Sequence, residues 1–189
     1  MGQSEQAQRA AISHTASLAG SDAGASALLK RLGIGRVTSL STFLETLKLL
    51  HVVGPLASAN IASMSCSGGE ASLMADAACG TPVTFPSLTA AQVKELRATL
   101  GPLVALSNPL DYHTFIWGKE DALTATFAAM MTLDIALGVV VLDFPRPDRC
   151  TSPDWELVLN AVAGAQERTG QPIAILGSLI DNIPEEVAQ

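Results

Sequence analysis

Basic residues are scarce in this sequence and form no cluster. Eleven Lys and Arg residues stand against eighteen Asp and Glu residues, which gives a formal net charge of −7. Nucleic acids and anionic membrane surfaces recruit proteins largely through basic patches. We therefore expect neither kind of partner, and any phosphate group that binds must be held by local groups.

Long apolar segments are also missing. The longest apolar runs, such as residues 135–142, have the length of a strand, whereas a membrane-spanning helix needs about 20 residues. The N-terminus carries no apolar signal region. A cytoplasmic protein without a membrane partner is expected.

Cysteine is rare as well. Cys66, Cys79 and Cys150 are odd in number and widely spaced. This pattern is typical of reduced thiols rather than of a disulfide framework or a zinc site. No metal site is predicted.

The sequence does contain an alternation of strand-like and helix-like segments, which is typical of βα units and a parallel sheet. Strands are expected at residues 60–65, 82–85, 103–106, 137–144 and 172–176. Before them, Ser21 and Ser41 are the expected N-caps of two helices. We predict an α/β fold of the flavodoxin-like, doubly wound type: a five-stranded parallel sheet in the order 2-1-3-4-5, with an N-terminal helical appendage.

A histidine among small residues, His14, precedes the first capped helix. On an exposed loop its imidazole can act as a nucleophile toward phosphorus near neutral pH, with phosphohistidine as the product. By composition alone, an ordinary loop histidine is the more common case.

A Gly-rich turn follows the first predicted strand and contains Ser65, Ser67, Gly68 and Gly69. Free backbone N–H groups, the helix dipole and the glycines suit this turn to phosphate binding. Neither GxxxxGK[ST] nor GxGxxG is present, so it is not a P-loop or a dinucleotide fingerprint. The two glycines can also be just a tight connection between a strand and a helix.

A third group, Asn108, Asp111 and His113, follows the third predicted strand. Because the carboxyl ends of parallel strands share one edge of a sheet, these residues are expected beside the Gly-rich turn, where they can line a pocket. Alternatively, Asn108 and Asp111 cap backbone groups, and the aromatic residues that follow cover the core.

Together these motifs resemble the NDP-forming acyl-CoA synthetases, a family that includes the ADP-forming acetyl-CoA synthetases and succinyl-CoA synthetase. The segments Ser13-His14-Thr15 and Leu18-Ala19-Gly20 are similar to the SHTGxLAG loop, with Ala16 in place of the usual glycine. Ser67-Gly68-Gly69 and the NPxD motif Asn108-Pro109-Leu110-Asp111 follow in the family order, although Glu70 stands where many relatives have proline.

The resemblance implies that His14 is the catalytic residue, phosphorylated in turn by an acyl phosphate and by nucleotide. It also implies that Gly68 and Gly69 start a helix that receives the phosphoryl group. Residues 1–38 would be the phosphohistidine loop and helix of a preceding domain. Residues 39–189 would be a flavodoxin-like domain of the succinyl-CoA-ligase type, truncated at its C-terminus.

On the same grounds, the parent enzyme is expected to be an acid–CoA ligase that interconverts acyl-CoA, ADP and phosphate with a carboxylic acid, CoA and ATP. The fragment alone is expected to bind no cofactor and to be inactive. CoA, ATP or ADP, and Mg²⁺ would be used together with the CoA-binding and ATP-grasp domains of the parent, in the same or a partner chain. The acyl group and the oligomeric state stay open, with a homodimer as one option.

Two other classes of function stay open on the residues alone. One is a non-catalytic flavodoxin-like domain for interaction or regulation. The other is a hydrolase that uses Ser67 or Cys66 with His113 and Asp111, although the GxSxG motif is absent.

Overall fold

The computed structural model describes residues 3–15, 20–179 and 183–188, with the backbone alone for His14 and Thr15. The chain divides into two compact units, Met1–Gly54 and Pro55–Gln189. This division lies after residue 54, whereas the sequence analysis expects a domain boundary after residue 38.

The described residues of the first unit form three helices: α1 (Glu5–Thr15), α2 (Asp22–Arg31) and α3 (Leu40–Val52). Ser21 caps α2 as predicted, because its hydroxyl accepts a hydrogen bond from the Gly24 N–H at 3.2 Å. Helix α3 is capped by Ser39 and not by Ser41. The Thr42 N–H donates to Ser39 Oγ at 3.0 Å.

The backbone of His14 lies in the last turn of α1 and not in a loop, so that part of the prediction is wrong. Residues 5–11 are all Ala, Gln, Glu or Arg, which are strong helix formers, and the helix continues from them through His14. The side chain of His14 and residues 16–19, which complete the predicted loop, lie outside the described residues. Exposure of the imidazole therefore stays a prediction.

Helices α2 and α3 are fully described, and neither contains a buried residue. Large apolar side chains at helical spacing on α3 are about half exposed; they are Phe43, Leu44, Leu47 and Leu50. Helix α3 therefore has an apolar face that is about half exposed.

The second unit is built on a parallel sheet. The described residues form four strands in the order β2-β1-β3-β4, with β1 at Ile61–Ser65, β2 at Leu110–Asp111, β3 at Leu137–Val141 and β4 at Ile173–Leu176. On β1, Met64 is in register with Leu110 on one side, and Ser63 with Val139 on the other. The helices are α4 (Gly68–Ala78), α5 (Ala90–Leu100), α6 (Glu120–Met130), α7 (Pro153–Thr169) and α8 (Glu185–Ala188), with a 3₁₀ turn at Thr114–Ile116.

Several elements form where local signals predict them. All five residues of the Val-rich β3 are buried, as expected for a strand covered on both faces. Helix α5 begins with a capping box between Thr89 and Gln92. Helix α7 begins at Pro153 and ends at Gly170, which has a left-handed φ of 66°. Helix α6 packs against both α5 and α7. No helix among the described residues is both long and apolar enough to cross a bilayer.

The sheet differs from the predicted five strands in the order 2-1-3-4-5. Residues 82–85 contribute a single bridge, from Thr84 to Asn60. Residues 103–106, all of them described, form no strand. The Arg97 guanidinium donates to the carbonyl oxygen of Val104 at 2.9 Å, and this occupies an acceptor that a strand would need. The strand beside β1 at this edge is β2 instead, at residues 110–111, where no strand is predicted from the sequence.

Candidate functional site

Helix α4 begins directly after β1, at the carboxyl edge of the sheet. Its N-cap residue, Ser67, makes no capping hydrogen bond through its side chain. The hydroxyl of Ser65 donates to the Ser67 carbonyl oxygen at 2.9 Å and so supports the turn. The first-turn N–H groups of Gly68 and Gly69 are therefore not capped by Ser67, and such groups at the positive end of a helix can bind an anion.

The start of α4 also approaches β2 closely. An ideal Cβ on Gly68 would lie 3.2 Å from Oδ2 of Asp111, and one on Gly69 would lie 3.4 Å from Oγ of Ser67. A side chain at Gly68 would therefore push against the carboxylate. The Gly-rich turn and the NPxD motif, which the sequence analysis places at one edge of the sheet, meet there within contact distance.

Asp111 positions His113 at this edge. Its Oδ1 accepts a hydrogen bond from the His113 backbone N–H at 2.9 Å, and its Oδ2 lies 3.7 Å from His113 Nε2. The imidazole is partly exposed and stacks on the ring of Phe115, with 5.3 Å between the ring centroids. Asp111, which lies near Gly68 at the start of α4, thus also holds His113.

Asn108 binds the backbone of the sheet. Its Oδ1 accepts a hydrogen bond from the Ser63 N–H at 3.0 Å, and its Nδ2 donates to the carbonyl oxygens of Ile61 at 2.9 Å and Pro86 at 3.3 Å. The side-chain amide thus occupies the place of a peptide group beside β1. Asn108 stabilises the sheet edge, in line with the alternative in which it satisfies backbone groups.

The aromatic residues after the NPxD motif mostly pack inside the unit. Tyr112 is completely buried and meets the ring of Phe127 edge to face. Trp117 packs in the same way against Trp155, with 5.1 Å between the ring centroids. Phe115 is the exception, since more than half of it is exposed. Most of these aromatic rings therefore contribute to packing and not to a pocket.

Three carboxylates lie near the start of α4: Glu70, Asp111 and Asp143. Oε2 of Glu70 is buried and has no hydrogen-bond partner in the described part of the chain. Burial, together with the charges of Asp143 and Asp111, raises the pKa of the Glu70 carboxyl. Among the residues described, no group of three His, Cys, Asp or Glu side chains could hold a metal ion. The start of α4 is thus surrounded by acidic side chains.

The sequence analysis does not single out Asp143. The residue follows β3 closely, and its carboxylate accepts hydrogen bonds from the hydroxyl of Ser178 and, at 2.7 Å, from the Ser178 N–H. Its backbone carbonyl oxygen accepts from Trp155 Nε1 at 2.8 Å. A sequence signal could have identified Asp143: it is a carboxylate that comes just after the Val-rich buried strand. The carboxyl ends of parallel strands lie at one edge of the sheet, so such a residue is expected at the same edge as the Gly-rich turn.

Cys66 lies between β1 and α4, next to these acids. Burial, and then the charge of Glu70, raises the pKa of its thiol. A thiol with a raised pKa holds less of the reactive thiolate at neutral pH. This disfavours the hydrolase in which Cys66 is the nucleophile.

We predict that Cys66 reacts slowly with alkylating reagents. At pH 7 its rate with iodoacetamide should be at least about tenfold below that of Cys79, which is exposed, because less thiolate is present and access is restricted. Peptide mass spectrometry after timed quenching measures both rates in one sample. Glu70→Gln should raise the rate at Cys66 and leave Cys79 as the internal control. Equal rates at the two cysteines would contradict the prediction.

Comparison with known proteins shows which protein family this chain is related to. Residues 1–50 match a family model described as succinyl-CoA ligase like flavodoxin domain. The chain is 31% identical, over 143 residues, to the alpha subunit of acetate–CoA ligase [ADP-forming] II from Pyrococcus furiosus, covering 75% of this chain and 31% of the relative. It is 30% identical over 110 residues to the acetate–CoA ligase [ADP-forming] of Methanocaldococcus jannaschii, covering 58% of this chain and 16% of the relative. This chain is a relative of the ADP-forming acetate–CoA ligases.

The resemblance to NDP-forming acyl-CoA synthetases, inferred from three short motifs, is thereby confirmed. This chain spans about a third of the length of the Pyrococcus furiosus subunit, since the match covers 31% of that subunit. The dinucleotide forming acetyl-coenzyme A synthetase 1 of Ca. Korarchaeum cryptofilum, solved in complex with phosphate and ADP, has a TM-score of 0.80 at 20% identity, covering 99% of this chain and 39% of that one. PH0766 from Pyrococcus horikoshii OT3 has a TM-score of 0.68 at 19% identity, covering 86% and 36%. At these identities the likeness concerns the fold.

The family model matches the first unit of the chain. Residues 1–50 fall within Met1–Gly54, where the described elements are helices, and they include His14. The second unit contains the Gly-rich turn and Asp111, which approach each other, and His113, which Asp111 holds. The meeting of His14 with the Gly-rich turn stays a prediction.

Proposed function

We propose that this chain is the part of an ADP-forming acyl-CoA synthetase that carries the phosphorylated histidine. The parent enzyme would interconvert acyl-CoA, ADP and phosphate with a carboxylic acid, CoA and ATP. The observation that carries the proposal is the 31% identity over 143 residues to the alpha subunit of an ADP-forming acetate–CoA ligase. The order of the His14, Gly-Gly and NPxD motifs along the chain supports the same enzyme class.

His14 would carry the phosphoryl group between two half-reactions. In one, an imidazole nitrogen attacks the phosphorus of an acyl phosphate, the N–P bond forms, and the P–O bond to the acyl group breaks as the carboxylate leaves. In the other, a terminal phosphate oxygen of ADP attacks the same phosphorus, the N–P bond breaks, and ATP forms. Imidazole suits both steps because its ordinary pKa lies near neutrality, so it is both a nucleophile and a leaving group.

The first turn of α4 would bind that phosphoryl group. Ser67 leaves the N–H groups of Gly68 and Gly69 uncapped, and they lie at the positive end of the helix. Glycine at position 68 leaves room for the Asp111 carboxylate beside the turn, since a Cβ there would lie 3.2 Å from Asp111 Oδ2. Ser65, through its hydrogen bond to the Ser67 carbonyl oxygen, would position these N–H groups without touching the anion itself.

We assign Met1–Gly54 to a flavodoxin-like domain whose sheet lies elsewhere in the parent enzyme. The family model matched by residues 1–50 describes such a domain, and the half-exposed apolar face of α3 is suited to packing on a sheet. The domain boundary would then follow residue 54. The CoA-binding and ATP-grasp domains, with CoA, ATP or ADP, and Mg²⁺, would belong to other parts of the parent, since this chain covers 31% of the first relative.

The direct test is phosphorylation in trans. The chain is incubated with Mg²⁺, ATP labelled on its γ-phosphate, and the separately purified ATP-grasp part of an ADP-forming acetate–CoA ligase. We expect an acid-labile, base-stable label on the peptide that contains His14, and no label when the ATP-grasp part is omitted.

The positive control is the complete alpha subunit of the same ligase, treated identically. If that subunit is labelled and this chain is not, the proposal is wrong. A second readout is turnover: acetyl-CoA, ADP and phosphate should yield no ATP with this chain alone, because the CoA-binding and nucleotide-binding groups are supplied by other domains.

A further inference from the structure

The start of α4 combines two features that oppose each other. Uncapped N–H groups and the helix dipole favour a bound anion. Glu70 lies in the first turn of the same helix, and Asp111 and Asp143 lie close enough to raise its pKa. Negative charges around the start of a helix oppose anion binding there. One of the three carboxylates must lose its charge if the turn is to hold a phosphoryl group well.

Two buried polar atoms beside this turn lack partners in the part of the chain that the structure describes. They are Oε2 of Glu70 and the hydroxyl of Tyr112. Tyr112 is 0% exposed. Its pKa is raised by burial and then by the charges of Cys66, Glu70 and Asp111, and its backbone N–H donates to the Ser65 carbonyl oxygen at 2.9 Å. Buried polar groups without partners are costly, and they indicate a group that is still to be bound.

We propose that Glu70 binds a proton when an anion occupies the Gly68–Gly69 turn, and that its protonated carboxyl donates a hydrogen bond to that anion. The inference rests on the proposed function, in which the anion is the phosphoryl group carried by His14. Protonation removes one negative charge from the cluster and turns a carboxylate, which only accepts hydrogen bonds, into a donor. Docking of the phosphoryl group is then coupled to the uptake of one proton.

The surroundings of Glu70 set the direction of the pH dependence. The titratable groups on the neighbouring elements are Cys66, Asp111, Tyr112, His113 and Asp143. A bound dianion would add to the carboxylate charges and favour the protonated form of Glu70 further. Anion affinity should therefore be highest below the pKa of Glu70 and fall as the pH rises through it. His113 lies next to Asp111, so it needs a separate control.

The test uses sulfate, which stays dianionic between about pH 5 and pH 8, so that pH dependence arises from the protein. The nitrogen-15 and proton shifts of the Gly68 and Gly69 amides locate the binding and give its Kd. We expect the wild-type Kd to rise at least about tenfold across this range. Glu70→Gln should show a change of less than about threefold and bind at least about tenfold more tightly than wild type at the upper pH.

Two variants serve as controls. Glu156→Gln makes the same charge change in the first turn of α7, where Glu156 is exposed, and it should keep the wild-type pH dependence. His113→Gln removes the imidazole and should keep most of the wild-type pH dependence. This separates the contribution of the histidine from that of Glu70. The carbon-13 shift of the Glu70 carboxyl provides a measurement without mutation, and saturating sulfate should raise that pKa by about one unit.

The outcomes are distinguishable. If the glycine amides respond to sulfate but Glu70→Gln keeps the wild-type pH dependence, or if sulfate leaves the pKa of Glu70 unchanged, the role of Glu70 is wrong and the anion site stands. If the glycine amides respond at no pH in any variant, the anion site itself is wrong, and the phosphate-binding part of the proposed function is lost with it.

Discussion

A His14→Ala chain should take up no acid-labile phosphoryl label under conditions in which ATP, Mg²⁺ and an ATP-grasp partner label the wild-type chain. The N–P bond needs a nitrogen nucleophile, and the methyl group of alanine supplies none. The expected effect is a fall to background. Scintillation counting after gel separation, with matched acid and base treatment, measures it.

His51→Ala is the matched control, because His51 is the other histidine of the first unit and is exposed in the last turn of α3. His113→Ala tests the remaining histidine of the sequence. Both variants should keep the label. Alanine is the best helix former, so His14→Ala should leave α1 intact, which far-UV circular dichroism checks. A label that persists in His14→Ala would contradict the assignment.

Asn108→Ala should destabilise the second unit by about 2–4 kcal/mol. The substitution removes three hydrogen bonds to main-chain atoms of Ser63, Ile61 and Pro86. Ser63 is 0% exposed, so its N–H would be left without a partner and without water. Urea unfolding followed by tryptophan fluorescence is the measurement, since the two tryptophans of the sequence, Trp117 and Trp155, both lie in the second unit.

Asn160→Ala is the control, because Asn160 is exposed and makes a single side-chain hydrogen bond, from its Nδ2 to Glu120 Oε2 at 3.2 Å. It should cost less than about 0.5 kcal/mol. Asn108→Asp keeps an acceptor for the Ser63 N–H but loses the donor to Ile61, and its stability should be intermediate. An Asn108→Ala variant as stable as Asn160→Ala would show that the amide is not needed at the sheet edge.

Elements whose stability is determined nearby in the chain could be predicted. The Val-rich run predicts the buried strand β3, and Thr89, Pro153 and Gly170 mark helix ends that the structure contains. The cap of α3 shows the limit of such signals. Ser39 and Ser41 have the same preference for the N-cap position, and the choice depends on where the backbone turns into the helix.

The sheet edge could not be predicted in the same way. Residues 103–106 have the composition of a strand, yet Arg97 occupies the carbonyl oxygen of Val104, and the amide of Asn108 occupies groups of β1. Both interactions replace ladder hydrogen bonds by side-chain hydrogen bonds. Such replacements depend on the tertiary position of one side chain, which propensity and periodicity do not describe.

By itself, the sequence determined the α/β class, most helix ends, the buried strand, and the motifs that relate this chain to the ADP-forming acetate–CoA ligases, because each of these is written in neighbouring residues. Only the tertiary structure decided that Glu70, Asp111 and Asp143 meet at one helix start. Their positions along the chain are far apart, and a parallel sheet brings the ends of its strands to a common edge whatever their separation in sequence. The charge at the Gly-rich turn is therefore a property of the fold.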